Sequence, residues 1–499
     1  MAHAPSSPSF SSVLPGALSG SLTRRLSEGY RAWSGQVERS GYCVRPVRLR
    51  GSAQSVDAST GEVLGSFSTD GNPDGVLLVA CGDRRSAVCP PCAERYRADT
   101  WHVVASGLRG RELAGEGPRA AASAHLPASV GDHPCLFVTL TAPSFGRVHT
   151  LGRDGTCRPR SSRPVCEHGM AAYCNARHSS DDKRLGNALC VECYDCTGHV
   201  LWHTAAPELW RRFTIELLRS FSRLSLERTG VHRTVRALRE ELRASYVKVA
   251  EWQRRGAVHF HAVVRLDGID PDDPETVTAP PAWVDADLLA ACVRDAASRV
   301  RVALPVPDGV ERIARWGGQI DVRPITDPRR TAAYVAKYAT KTASDVLPGL
   351  PVRRFDTFAL DRMRKRGTSW HLLMLAGTCL RLADAEGCED LRLAERVHTL
   401  GFPGHFATKS RRYSVTLGAL RAVRRAWRAA QRTGDVWGQD GAVVVGDWRL
   451  VGVGHAKPGD ALLAEQLARE EAVYREAVKY HDVVQVRVVD DGEAAGVAA

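Results

Sequence analysis

The 499-residue chain has no run of about 18 apolar residues, the length a helix needs to cross a bilayer. Residues 1–20, MAHAPSSPSFSSVLPGALSG, are small, polar and proline-rich, without the charged-then-apolar build of a signal peptide. A G-x-x-x-x-G-K-[ST] phosphate loop is absent, which argues against an ATP-driven motor. No G-x-S-x-G nucleophile signature and no internal repeat occurs. Strand and helix patterns do not alternate regularly, so a metal-hydrolase barrel is a poor fit. Acidic residues vanish altogether from 401–434.

What is present begins with size and charge. With 44% hydrophobic residues the chain can bury a large core in two or three domains. Lys and Arg number 68 against 56 Asp and Glu, a formal net charge of +12. Much of the excess is arginine, whose planar fork suits phosphate, although GC-rich coding also favours it. Fourteen cysteines lie in clusters mixed with histidine. In a cytosolic chain that favours zinc over disulfides.

The stretch 246–264, YVKVAEWQRRGAVHFHAVV, reads as a β-hairpin with Gly256 in its turn. Period-2 alternation puts His259 and His261 on one face, with Val258, Phe260, Ala262 and Val264 on the other. A five-residue loop WQRRG closed symmetrically pairs Ala257 with Glu251 and sets Glu251 diagonally beside His259. Two imidazoles and a carboxylate would then converge as a divalent-metal site open to substrate. Gln253 or an acid from another strand remains an alternative third ligand. A cupin wants a glutamate a few residues beyond its histidine pair, and Ala262–Leu266 supplies none. Downstream, TAAYVAKYATK (331–341) predicts a helix with Tyr334 and Tyr338 at i and i+4. Lys337 and Lys341 share that spacing, one position round. Surface tyrosines on a helix are usually packing residues; these two follow a metal-type His-x-His.

Two cysteine regions carry zinc chemistry. Cys43, Cys81, Cys89 and Cys92, with CPPC at 89–92, predict a structural zinc, since Cys-x-x-Cys grips one tetrahedral ion from a tight turn. A thioredoxin-type redox pair would need a βαβ context that is missing. The polar segment 157–196 holds Cys157, Cys166, His168, Cys174, His178, Cys190, Cys193 and Cys196. Cys190–Cys193 is one half-site, and Cys166 with Cys174 the expected other half, His168 or His178 being substitutes. Two structural zinc ions are expected in all.

The order His259-Phe260-His261 and then Tyr334, Lys337 and Tyr338 resembles the HUH endonucleases, specifically the rolling-circle replication initiators. LFVTLTAP (136–143) resembles the family's first motif, a buried strand leading the nuclease domain. The Tyr-x-x-x-Tyr spacing is similar to the two-tyrosine phage A-protein type. A cysteine-rich front and basic back resemble the initiators of actinobacterial plasmids and integrative elements. The three motifs cover about 136–345.

The resemblance implies an α+β fold, an antiparallel-sheet HUH nuclease palm with helices on one face, plus zinc-binding insertions and a basic, mainly helical C-terminal region. It also implies single-stranded origin DNA as substrate, and Mg²⁺ or Mn²⁺ on His259, His261 and Glu251. Tyr334 and Tyr338 would be nucleophiles, with Lys337 beside them. A host helicase and DNA polymerase would be partners, and the location cytoplasmic. Such an enzyme nicks and rejoins DNA through a 5′-phosphotyrosyl link. The alternative class is a zinc-dependent DNA-binding regulator without nuclease activity.

The expected layout is a disordered 1–40, a zinc unit at 41–110, and a nuclease domain at 133–345 with its zinc insertion at 157–196. A basic DNA-binding region at 346–485 and a tail at 486–499 would follow. Leu209, Phe213, Leu217 and Phe221 predict a core-facing stripe within two helices over 207–244. In 401–434, Lys409, Arg411, Arg412, Arg421, Arg424, Arg425, Arg428 and Arg432, with Tyr413 and Trp427 interleaved, suggest a phosphate-tracking surface. Lys409, Arg411, Arg412, Arg424 and Arg425 are the candidate DNA contacts; a solvated helix face is the competing reading.

Overall fold

A computed structural model describes residues 15–110, 126–152, 155–158, 165–347, 349–350, 358–430, 437 and 441–494. They divide into two compact units, one drawn from 1–96 and 426–499, the other Arg97–Arg425. The basic C-terminal region is therefore not a domain of its own: its chain is shared between both units.

The first unit opens with two helices, α1 (Pro15–Leu26) and α2 (Tyr30–Arg39), inside the 1–40 stretch expected to be disordered, of which 1–14 lie outside the described residues. Their order comes from distant chain. Gly20 meets Gly459 backbone to backbone, and a Cβ on Gly459 would lie 2.4 Å from the Gly20 carbonyl carbon. Arg24 bridges Asp460 and Asp74. Gly459 and Asp460, more than 400 residues away, leave no trace in local pattern. β1 (Val47–Asp57) pairs antiparallel with β2 (Val63–Ser68) and with the strand Ala442–Val453, and its first residues pair with β3 (Leu77–Val79). Trp33, Val37, Val76, Leu78, Leu463 and Ala464 form the small core. The C-terminal helix Pro458–Ala494 runs on into the 486–499 stretch that was expected to be a tail.

The second unit holds the larger core. The main strands of its sheet are β4 (Cys135–Leu140), β5 (Leu242–Trp252), β6 (Val258–Ile269), β7 (Ile320–Pro324) and β8 (Ala407–Lys409), in spatial order β7–β4–β6–β5–β8, with the short strand Val277–Thr278 on the end of β6. All these pairings are antiparallel. With the helices this makes a mixed, α+β architecture. One sheet face, carrying Leu136, Val138, Leu140, Phe260, Ala262 and Val264, is apolar and packs on the helices Cys196–Thr229 and Ala286–Arg299. Leu209, Phe213, Leu217 and Phe221 are buried there as their stripe requires. The first helix begins earlier than expected because the Asp195 carboxylate caps it, accepting from Gly198 N–H. It runs through Pro207, which sequence reading treats as a breaker. The tyrosine helix, Pro328–Ala339, lies against the opposite face, so helices cover both faces and not one.

Within the apolar layer His203 pins the start of β6. Its Nδ1–H donates to Leu400 C=O at 2.7 Å, and its Nε2 accepts from Val258 N–H at 3.1 Å. Both nitrogens serve a neutral ring, and burial lowers its pKa from 6.5 to about 4. A group with a depressed pKa of this kind binds its proton in the unfolded chain first. Its stabilising effect is full above 6.5 and is lost progressively as pH falls toward 4. Denaturant midpoints should fall between about pH 7 and about pH 5, and His203→Gln should flatten that dependence. An equally steep dependence in the variant would remove His203 from the account.

Candidate active site

The β5–β6 register brings the hairpin ligands together. Trp252 pairs with Val258, so the loop is Gln253–Ala257 and Glu251 stands directly opposite His259, not diagonally beside it. The Gln253 N–H donates to Ala257 C=O at 2.8 Å, closing the loop, and Gly256 takes the left-handed φ of +82° that it needs. Glu251 Oε2 lies 3.0 Å from His259 Nε2 and 2.6 Å from His261 Nε2. One carboxylate oxygen and two imidazole nitrogens thus face a single point. Burial works against the Glu251 carboxylate, yet the two imidazoles hold its pKa down to about 2. Burial also lowers the His261 pKa, favouring the neutral ring that a metal accepts.

Tyr334 and Tyr338 complete the group. The Tyr334 hydroxyl lies 3.2 Å from His261 Nε2, and the residue is 38% exposed. Tyr338 is buried, with its ring 5.7 Å from His261 and 4.7 Å from Tyr334. Burial raises both phenol pKa values, so neither ionises without help. Lys337 and Lys341 set their ammonium groups 5.7 Å and 5.0 Å from the Tyr338 ring centre.

Two supports escaped sequence reading. The Thr139 hydroxyl hydrogen-bonds His261 Nδ1 at 3.0 Å, and Phe137 stacks on the same imidazole. That hydroxyl fixes the ring's rotation and leaves Nε2 turned to Glu251. Alternation along LFVTLTAP would have found them: Phe137 and Thr139 share the face away from Leu136, Val138 and Leu140.

Among the described residues, cysteines and histidines converge in three further groups, in each of which the candidate ligand atoms all lie within 4.8 Å of one another. Cys43, Cys81, Cys89 and Cys92 meet as expected. Their Sγ atoms stand 3.7 Å apart for Cys43–Cys89 and Cys81–Cys92, far too long for disulfides. The 157–196 segment forms two groups where one was expected. Cys166, His168, Cys190 and Cys193 make one, with His168 as a member beside the thiols. Cys174 leaves Cys166 and joins His149, Cys157 and His178. Cys196, the first helical residue after Asp195, is buried in the core and belongs to none.

The KSRRYS stretch serves the fold. The Lys409 ammonium donates to the carbonyls of Ser410, Arg411 and Ser414, and burial lowers its pKa to about 8. Tyr413 is fully buried and donates to Val104 C=O. Arg412 pairs with Glu275 and Arg424 with Asp99. Among the five candidate contacts, Arg411 and Arg425 are the exposed ones. Arg432 and the side chains of Trp427 and Arg428 lie outside the described residues.

An antiparallel sheet carrying two imidazoles and a carboxylate, with a pair of tyrosines on the helix against it, belongs here to a protein of DNA replication. The chain is a member of the family described as replication initiator protein, pSAM2 (RepSA), whose model matches residues 29–469. The replication initiator protein of Streptomyces ambofaciens is 40% identical over 481 residues, covering 93% of this chain and 95% of that protein. No solved structure matches.

If Glu251, His259 and His261 share a cation, Glu251→Ala should weaken Mn²⁺ binding at least about tenfold in calorimetry. Unchanged affinity would place the ion elsewhere.

Proposed function

We propose that this initiator nicks and rejoins single-stranded DNA at the origin of a plasmid or integrative element, starting rolling-circle replication on an HUH-type nuclease palm in the bacterial cytoplasm. The observation that carries the reading is the Tyr334 hydroxyl, 3.2 Å from one of two imidazoles that share a carboxylate. Mg²⁺ or Mn²⁺ on Glu251, His259 and His261 would supply the Lewis acidity that polarises the scissile phosphate. The Tyr334 oxygen attacks phosphorus in line as its proton leaves. An O–P bond to tyrosine forms, the P–O3′ bond breaks, and the departing oxygen takes a proton to become the 3′-OH that a host polymerase extends. The bond energy stays in the phosphotyrosyl link, so the chemistry needs no ATP. Duplex separation then falls to a host helicase.

Tyr338 is the second nucleophile in this reading, four residues along the same helix face, and Lys337 and Lys341 offer positive charge to a phenolate. Arg411 and Arg425 are retained as phosphate contacts. Structural zinc fits Cys43, Cys81, Cys89 and Cys92, and also Cys166, His168, Cys190 and Cys193, because each set converges without disulfide geometry.

His259→Ala and His261→Ala should abolish nicking of origin DNA while retaining DNA binding; nicking at the unaltered rate would remove the hairpin from the chemistry. Adduct mapping separates the tyrosines. Covalent DNA on the remaining tyrosine of both Tyr334→Phe and Tyr338→Phe supports alternation. Loss of all activity in only one variant names a single nucleophile. If no adduct forms in the unaltered protein, a regulator without nuclease activity is the better account.

A further inference from the structure

We propose that His149, Cys157, Cys174 and His178 hold a zinc ion of their own, cross-braced with the Cys166, His168, Cys190 and Cys193 set, and that this pair of sites props the turn between β5 and β6. The propping role rests on the function proposed above; the metal site does not.

The distances argue first. Ligands held by one tetrahedral zinc, at about 2.0–2.1 Å for nitrogen and about 2.3 Å for sulfur, stand about 3.3–3.8 Å from each other. His149 Nδ1 is 3.1 Å from His178 Nε2 and 3.6 Å from Cys157 Sγ, and Cys174 Sγ is 3.6 Å from His178 Nε2. The tautomer argues second. The His178 side chain is fully buried, and its Nδ1 bonds Asp182 Oδ2 at 2.7 Å. With the proton on Nδ1, the Nε2 lone pair points bare into the cluster, the carboxylate–histidine arrangement that supports zinc ligands. A plain hydrogen bond from His149 to His178 would satisfy the two rings but leave two thiols turned inward for no reason.

Chain order supplies the bracing. The ligands run His149 and Cys157, then Cys166 and His168, then Cys174 and His178, then Cys190 and Cys193, so each site's halves enclose half of the other. Short backbone links tie the same segments: Arg158 and Cys174 exchange both N–H···O bonds, Val165 bridges Ala171, and Val148 bridges Ala188. This polar loop offers no hydrophobic cluster of its own among the described residues, so metal is what can order it.

The loop meets the hairpin at its turn. The Arg254 guanidinium donates to Ser180 C=O. Gly186 lies so close that a Cβ there would stand 2.4 Å from the Arg254 carbonyl carbon and 2.6 Å from Arg255 nitrogen. Ser180 and Gly186 fall between His178 and Cys190, one ligand of each site, while the turn joins Glu251 to His259. Order in the zinc loop thus reaches the active-site ligands through backbone contact.

The test is elemental analysis of the full-length protein purified without chelators, paired with Co²⁺ substitution. His149→Asn should lower zinc by at least about one equivalent per chain, and His149→Cys, which restores a ligand, should recover it. In the Co²⁺ form, Cys157→Ser should reduce the thiolate-to-cobalt charge-transfer band, to which an oxygen-and-histidine site does not contribute. Unchanged zinc in His149→Asn and an unchanged band in Cys157→Ser would overturn the site whether or not the protein nicks DNA. For the propping role, His149→Asn should also weaken Mn²⁺ binding at the hairpin, with His149→Cys restoring it. Unaltered Mn²⁺ affinity alongside lost zinc would overturn that role alone.

Discussion

Everything at the centre of the larger unit depends on the register of two antiparallel strands. A slip of one residue between β5 and β6 would turn every side chain to the other face and scatter Glu251, His259 and His261. Three things hold it. The five-residue turn closes through Gln253 and Ala257, His203 receives the Val258 N–H from below, and the Arg255 guanidinium donates to the carbonyls of Ala142 and Pro143. The last two attachments come from outside the hairpin. Register here is a tertiary property that the turn alone would leave loose.

From that register follows a sheet with two chemistries. Its apolar face is sealed by Trp202, Phe213, Leu217 and Phe260 among others, giving the rigidity a precise site needs. The other face carries Glu251, His259 and His261, the tyrosine helix and a buried ionic network. There Arg265 pairs with Asp267 and donates to the carbonyls of Gly107 and Tyr413, while Asp267 also takes hydrogen bonds from His133 and Ser245. A charged residue this deep is tolerable because the guanidinium is paired with a carboxylate and its remaining donors reach carbonyls. The network fastens flanking segments to the strand that bears His259 and His261, so that strand is held along its length.

Much of this could be read from the residues. His259 and His261 were legible because alternation is a local rule, and Tyr334 and Tyr338 because helical spacing is too. The buried stripe from Leu209 to Phe221 was visible for the same reason. The failures share a cause, dependence on distant chain. Glu251 sits one register step from its expected place because the turn excludes Trp252, which is buried against Phe402 and His203. Cys174 falls in one group with His149, a residue outside the cysteine cluster, so counting cysteines could not separate two interleaved groups. The KSRRYS stretch looked like a phosphate surface by charge alone, but burial turned Lys409 and Tyr413 inward. Helix α1 is fixed by Gly459 and Asp460, far along the chain.

The central claim is that one carboxylate and two imidazoles hold a divalent cation beside Tyr334. Pulsed electron paramagnetic resonance of Mn²⁺ bound to the full-length protein, with and without ¹⁵N-labelled histidine, tests it most directly. The account predicts hyperfine coupling from two imidazole nitrogens that changes isotope with the label and drops to one in His259→Ala. A Mn²⁺ spectrum with oxygen ligands alone would contradict it.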